Sequence, residues 1–346
     1  MIAVILAGGK GVRLWPESRE ARPKQLCNFF GDKSMLEHTI ERLVVTGSDK
    51  VMVVTNQAQV GMIRSSLGKD YLKRVEIVGE PRGRNTAPAL GLALARYWPE
   101  QSDEVVGIFP ADHYVTDQLA FTAVVSQAVA AARENYLVTI GIQPEYPETG
   151  YGYIQKSDTV IAGIDGAFVV RAFKEKPDPK TARSYLESGG YLWNAGIFIG
   201  KVGLLVEEYS RYLPEIYQYI ESGYEKYLAN YENLPEISID YGIAEKSSRV
   251  AVVEGDFGWS DVGSWKALAE LLPGDERGNV LLGDVVAMDA TGCMVRQSQK
   301  TVVLLGVEDL VVVETGDTVL VCHQDHSQDI RKVVDYLQEQ GRSELL

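Results

Sequence analysis

The chain has 346 residues, a formal charge of −14, 45% hydrophobic and 24% charged residues. That length exceeds the roughly 250–300 residues at which one core stops growing, which predicts a large domain with a smaller one beside it. The acidic balance repels polyanions and argues against nucleic acid as a partner, and no apolar run approaches the ~20 residues of a membrane-spanning helix.

The first apolar run, 2–6, has no basic lead and stops in a glycine turn, so it reads as a buried strand rather than an export signal. It passes directly into Leu6-Ala7-Gly8-Gly9-Lys10-Gly11-Val12-Arg13-Leu14. Three glycines there let backbone N–H groups approach an anion, with a triphosphate as the natural guest. A Walker A loop does not fit, because no Gly-Lys-Ser/Thr follows at the required spacing. A GxGxxG fingerprint fails as well, since nothing after Gly11 supplies the last glycine. Arg13, Arg19, Arg22 and Lys24 follow on a loop that includes Pro16 and Pro23, and their mutual repulsion calls for a compensating anion. The same residues would also serve as a tight turn with solvated basic side chains.

Further strands are predicted at 51–55, 75–79, 105–109 and 137–142, each nearly continuous in apolar residues, as strands buried on both faces should be. Helices at 34–45, 57–67, 86–98 and 119–134 alternate with them, the order expected of a mainly parallel sheet covered by helices. Between the third strand and its helix lies Gly79-Glu80-Pro81-Arg82-Gly83-Arg84-Asn85-Thr86-Ala87-Pro88, where Asn85 or Thr86 could cap the helix. Asp112 follows the fourth strand in Phe109-Pro110-Ala111-Asp112-His113-Tyr114. From 146 to about 270 the order is less regular, with strands at 151–155, 168–173 and 197–200 and helical stretches rich in Tyr and Glu, read as an elaboration of the same sheet. Asp261 sits in Gly258-Trp259-Ser260-Asp261-Val262-Gly263. Taken alone, Asp112 and Asp261 are each ordinary loop-capping residues.

After the loop 273–279 the composition changes to short Val and Leu runs, with turns at Gly283-Asp284, Thr291-Gly292, Gly306 and Gly316-Asp317. Their spacing of roughly ten residues fits a small β-helix or a sandwich. A closing amphipathic helix is predicted over 327–340 with Ser327 as its N-cap. The expected division is therefore 1–270 and 271–346. Cys27, Cys293 and Cys322 are odd in number and contain no CxxC pair, which suggests neither disulfides nor zinc and fits a reducing cytoplasm. Cys27 reads as a packing residue, and none of the four histidines shows triad or metal-ligand spacing.

Leu6-Ala7-Gly8-Gly9-x-Gly11-x-Arg13-Leu14-Trp15-Pro16-x-Ser18-Arg19-x-x-x-Pro23-Lys24-Gln25 resembles, position for position, the signature of the mannose-1-phosphate guanylyltransferases within the sugar-phosphate nucleotidyltransferase family. The resemblance implies an α/β, Rossmann-like domain with a mixed, mainly parallel sheet, followed by a left-handed β-helical tail. It implies transfer of GMP from GTP to mannose 1-phosphate, with Mg2+ as cofactor. The loop Leu6, Ala7, Gly8, Gly9 and Gly11 would hold the nucleotide phosphates, with Arg13 and Lys24 on the triphosphate and leaving pyrophosphate. The segment with Glu80, Asn85 and Thr86 resembles the base-reading loop, where a Glu80 carboxylate suits guanine N1–H and N2–H2. Asp112, beside the nucleotide, and Asp261 match the magnesium ligands. Glu175 and Lys176 match a Glu-Lys-Pro element that takes the sugar hydroxyls and the sugar phosphate, and Gly152 and Asn194 match further sugar-pocket segments. Catalysis would fall to Arg13, Lys24 and Lys176 by positioning and charge neutralisation. A related transferase for another sugar phosphate or nucleotide, and a regulatory homologue without activity, are the alternatives. The length leaves no room for an added isomerase domain, so one activity is expected. Exposed edges of a β-tail point to a homodimer.

Overall fold

The computed structural model describes every residue other than Lys10 and Asp49. Two compact units emerge. The first comprises Met1–Gly8, Glu37–Ala111 and Val115–Trp259, and the second Gly9–Leu36, Asp112–Tyr114 and Ser260–Leu346. The expected linear division at residue 270 differs from these packing units. Leu14, Trp15, Cys27 and Phe29, although early in the chain, are buried with Trp265, Leu268, Met294 and Val311.

In the first unit the strands are β1 (Ile2–Leu6), β2 (Lys50–Asn56), β3 (Val75–Glu80), β4 (Val105–Pro110), β5 (Leu137–Ile142), β6 (Tyr153–Val160), β7 (Ala167–Lys174), β8 (Tyr191–Lys201) and β9 (Val250–Gly255). They form one sheet in the order β3-β2-β1-β4-β8-β5-β9-β7-β6. The first four are parallel, with Val4 opposite Met52 on one side and Ile108 on the other. In β1, β2 and β4 a nearly continuous run of buried apolar residues suits burial on both faces, whereas the edge strand β3 carries the exposed Glu76. Beyond β4 the pairing changes: β8 lies antiparallel to β4 and β5, and β7 is antiparallel to β9 and β6. The sheet is thus parallel in its first part and mixed in its second. Strand β8 is also longer than the 197–200 expected, because Trp193 and Leu192 pair with Tyr153 and Ile154 on β6.

Helices α1 (Met35–Val45), α2 (Val60–Ser66), α3 (Thr86–Tyr97) and α4 (Gln118–Arg133) fall within two or three residues of the predicted spans. Leu90 and Leu94 on α3 reach the core shared with Val4, Met52, Ile108 and Phe198. The Tyr-rich stretch supplies fully buried Tyr209, Tyr227 and Tyr231 to the same core. Each keeps its hydroxyl satisfied, as burial demands: Tyr209 donates to Ala87 O at 2.7 Å and Tyr227 to Pro88 O at 2.9 Å.

In the second unit β10 (Val280–Leu282), β12 (Met294–Arg296) and β14 (Leu310–Glu314) stack in parallel, Val280 against Met294 against Val311. Strands β11 (Val285–Met288) and β13 (Val302–Leu305) form a second parallel pair, and β15 (Val319–His323) turns back antiparallel on β14. Successive parallel coils make this a β-helix and exclude the sandwich. Cys293, Val295, Leu304 and Val312 fill its interior, and buried Asn279 ties two coils by donating to Ala290 O and accepting from Cys293 N. The closing helix starts later than predicted, at Ile330. Ser327 is buried in a preceding 3-10 segment, Gln324–Asp329, and Asp329 takes the cap position, because the chain makes tighter turns before it can begin the α-helix.

Candidate active site

The signature loop is built into the second unit by its own side chains. Buried Trp15 donates through Nε1 to Leu345 O at 2.7 Å and accepts at its carbonyl from Trp265 Nε1 at 3.0 Å. Arg19 grips Asp317 with two bonds of 2.6 and 2.7 Å, Arg296 pairs with Glu17, and Arg22 donates to Asn28 Oδ1. The cationic cluster therefore divides. Arg19 and Arg22 serve the architecture, whereas Arg13 and Lys24 line a cavity of about 250 Å3 together with Gly11, Asp112, Asp261 and Arg331.

Lys24 is buried at 5% exposure, an expensive position for an ammonium unless it is paired. Its Nζ donates to Asp112 Oδ2 at 2.8 Å and to the main-chain Asp261 O at 2.5 Å, so one cation ties the Asp112 carboxylate to the backbone of Asp261. Gly11, at φ +62°, makes this possible: a Cβ there would overlap Lys24 Cβ. Ser18 Oγ donates to Gly11 O and holds the turn. Burial pushes the Asp112 carboxyl up, but the charges of Lys24 and His113 and the bond from Lys24 outweigh it and hold the group below its ordinary range. Asp261 Oδ1 accepts from Gly263 N at 3.1 Å. Arg13 and Arg331, in contrast, have no carboxylate partner among the described residues.

In the first unit, Leu6 and Ala7 spend backbone groups on the sheet: Leu6 O accepts from Ala111 N and Ala7 N donates to Val54 O. Gly8 and Gly9 are exposed, and Lys10 lies outside the described residues. Glu80 ends β3 as a buried carboxylate whose Oε2 accepts from the Tyr231 hydroxyl at 2.6 Å. Its Oε1 turns toward the glycine loop, 3.1 Å from where a Cβ on Gly8 would stand. Burial raises the Glu80 carboxyl, and the bonds from Tyr231 and the Arg84 backbone oppose that rise. Asn85, at φ 71°, caps α3 by accepting from Thr86 N at 2.8 Å, while Thr86 Oγ1 accepts from Ile239 N. Both candidate caps are thus engaged in shaping the helix entrance.

The predicted sugar residues also converge within the first unit. Glu175, 8% exposed, receives Lys176 Nζ on Oε1 at 2.7 Å, and its buried Oε2 has no partner. Gly152 is a close-approach glycine, since a Cβ there would overlap that same Oε2. Asn194 N donates to Gly152 O at 2.8 Å; its amide oxygen accepts from Thr139 Oγ1 and Gly196 N, and its Nδ2 donates to Asp240 Oδ1 at 2.9 Å. Asp240 is pushed up to about 6, first by burial and then by the Glu175 charge, against opposition from its own backbone N–H, Lys176 and Ser238. Tyr151 packs its ring edge against Trp193 at 5.2 Å and Trp259 at 5.3 Å, giving an aromatic wall.

Sequence reasoning missed Tyr231, Asp240 and Arg331. Tyr231 and Asp240 lie in the Tyr- and Glu-rich stretch, where their partners are distant in sequence and no motif marks them. Arg331 occupies the first turn of a terminal amphipathic helix, where a basic residue ordinarily faces solvent.

The profile of the nucleotidyl transferase family matches residues 2–278, and that of the MannoseP isomerase/GMP-like beta-helix domain matches residues 283–337. A Klebsiella pneumoniae protein named mannose-1-phosphate guanylyltransferase is 38% identical, covering 99% of this chain and 75% of its own. The Pseudomonas aeruginosa alginate biosynthesis protein AlgA is 40% identical over 99% of this chain and 73% of its own. Among solved structures, a Thermus thermophilus protein described as a mannose-1-phosphate geranyltransferase superposes with a TM-score of 0.89 at 37% identity, over 97% of this chain and 99% of that one.

Proposed function

This chain belongs to the nucleotidyl transferase family, among the mannose-1-phosphate guanylyltransferases, and on that footing we propose that it transfers GMP from GTP to α-D-mannose 1-phosphate. The observation that carries the reading is Lys24 held between Asp112 and Asp261 in a cavity bordered by Gly11 and Arg13. A phosphate oxygen of mannose 1-phosphate attacks the α-phosphorus of GTP. The bond from that phosphorus to the bridging oxygen breaks, and its electron pair leaves with pyrophosphate, yielding GDP-mannose. The attacking phosphate is already anionic at neutral pH, so no general base is required; positioning and fixed cations do the work. Arg13 and Lys24 are assigned to the polyphosphate and Lys176 to the sugar phosphate.

The residues present fit Mg2+. No group of three or more His, Cys, Asp or Glu side chains suited to a metal exists among the described residues, but Asp112 and Asp261 line one cavity. One or two carboxylates completed by phosphate oxygens and water is the usual arrangement for this ion. When bound, it would neutralise charge accumulating on the phosphates.

Glu80 is assigned to guanine, whose N1–H and N2–H2 together match a carboxylate acceptor. Glu175 is assigned to a sugar hydroxyl, the donor its unpartnered buried Oε2 calls for. A homodimer is proposed through the β-helix, where Val303, Leu305, Val319 and Val321 stand exposed on β13 and the edge strand β15. A cytoplasmic location is supported by three free cysteines; no described helix is long and apolar enough to cross a membrane.

The test is pyrophosphate release by the purified protein with Mg2+ across a panel of nucleoside triphosphates and sugar 1-phosphates. GTP with mannose 1-phosphate should be preferred, and Glu80→Gln should erode the preference for GTP. Equal rates with other pairs would overturn the specificity, and no release with any pair would overturn the activity.

A further inference from the structure

The closing helix, α10 (Ile330–Glu339) in the numbering that follows α5 (Pro179–Ser188), α6 (Val202–Tyr212), α7 (Pro214–Glu221), α8 (Tyr224–Ala229) and α9 (Trp265–Glu270), does more than finish the β-helix. Ile330, 2% exposed, is buried with Leu14, Trp15, Trp265 and Met294, and Val334 and Leu337 pack against the same cluster. Residues 330, 334 and 337 form one helical stripe, so their burial sets the rotation of the helix about its axis. With that rotation Arg331 borders the cavity of Gly11, Arg13, Lys24, Asp112 and Asp261. The bond from Trp15 Nε1 to Leu345 O anchors the chain beyond the helix to the signature loop.

Most neighbouring cations in this unit are neutralised: Arg19 by Asp317, Arg296 by Glu17, Lys332 by Asp329 and Lys24 by Asp112. Arg331 and Arg13 have no such partner among the described residues, although the chain carries a charge of −14. Two unpaired guanidiniums bordering one cavity are complementary to an anion of more than one charge.

We propose that Arg331 binds the β- and γ-phosphates of GTP and the departing pyrophosphate, making the C-terminal module part of the catalytic site. This deepens the transferase reading and rests on it. As the bond between the α-phosphorus and the bridging oxygen breaks, the electron pair and its charge pass to pyrophosphate. A guanidinium with fixed, bidentate donors stabilises that charge more than a flexible ammonium can.

The experiment compares Arg331→Gln, Arg331→Lys and the adjacent Lys332→Gln in the complete chain. In the reverse reaction, from GDP-mannose and pyrophosphate, Arg331→Gln should raise KM for pyrophosphate roughly 10- to 100-fold while KM for GDP-mannose holds. In the forward reaction KM should rise for GTP and not for mannose 1-phosphate. Arg331→Lys should recover part of the loss, and Lys332→Gln should match the wild type. Calorimetric titration with Mg2+-pyrophosphate gives a reading independent of turnover. Unchanged pyrophosphate affinity in Arg331→Gln, an equal loss in Lys332→Gln, or a loss confined to mannose 1-phosphate would each overturn the proposal. Should Arg331→Gln fail to fold, Arg331→Lys decides, because it keeps the charge and loses the bidentate fork; wild-type pyrophosphate affinity in that variant counts against the proposal. Failure of the transferase reading is distinguishable, since the wild type would then release no pyrophosphate while the titration still reports on Arg331.

Discussion

The Tyr231 hydroxyl donates to Glu80 Oε2 at 2.6 Å, joining residues 151 positions apart in the buried interior of the first unit. The bond occupies one carboxylate oxygen and leaves Oε1 on the side of Gly8. It also favours the ionised form of a carboxyl that burial pushes up. Tyr231→Phe keeps the ring and removes the donor. KM for GTP is expected to rise roughly tenfold at neutral pH, with kcat for saturating GTP little changed. The Glu80 carboxyl should move further up, so the loss should grow as pH falls and the acidic limb of kcat/KM for GTP should shift to higher pH. The groups facing Glu80 are Tyr231, Tyr227 and the Arg84 backbone, none of which supplies a compensating positive charge. An unshifted limb would show that Tyr231 merely packs.

Gly11→Ala tests the geometry around Lys24. The new methyl would overlap Lys24 Cβ at a backbone φ of +62°, and both effects oppose an L side chain. The expected cost is about 2–4 kcal/mol, read from denaturant unfolding. Gly9→Ala is the stability control, because a Cβ there meets nothing within 4 Å.

Asp240 gives a pH signature. Its folded value of about 6 lies above the usual carboxyl range, so the protonated form is favoured in the folded state. That contribution to stability is complete below the unfolded value near ~4 and is lost as pH rises through about 6. Asp240→Asn, which retains an oxygen facing Asn194 Nδ2, should therefore gain in thermal midpoint relative to the wild type as pH is raised from 4 to 8, checked by melting curves at both ends. A constant difference would remove Asp240 from the account.

Asp112→Ala should lower kcat by at least roughly 100-fold, because Lys24 loses its carboxylate partner and the proposed metal loses a ligand. Asp261→Asn should instead raise the Mg2+ concentration needed for half-maximal rate. Rates measured against Mg2+ concentration separate the two. Wild-type dependence in both variants would sink the metal assignment.

Local patterning determined much of this protein. Nearly continuous apolar runs marked β1 to β5 within a residue at their ends; β1, β2, β4 and β5 are buried on both faces, while the edge strand β3 keeps Glu76 exposed. The glycines and cations from Leu6 to Gln25 pointed to phosphate binding, and the resemblance of that segment to a known signature carried the reaction class. Long-range packing decided the rest. That β8 enters between β4 and β5 depends on pairings more than 50 residues apart. Which cations are structural and which are available depends on Asp317 and Glu17 standing beside Arg19 and Arg296. The partners of Glu80 and Asn194, Tyr231 and Asp240, and the position of Arg331 have no local signature, because a hydrogen bond or a cavity wall is made by whichever residue the folded chain delivers there. Sequence determined the chemistry that was wanted, and tertiary packing decided which side chains are left free to perform it.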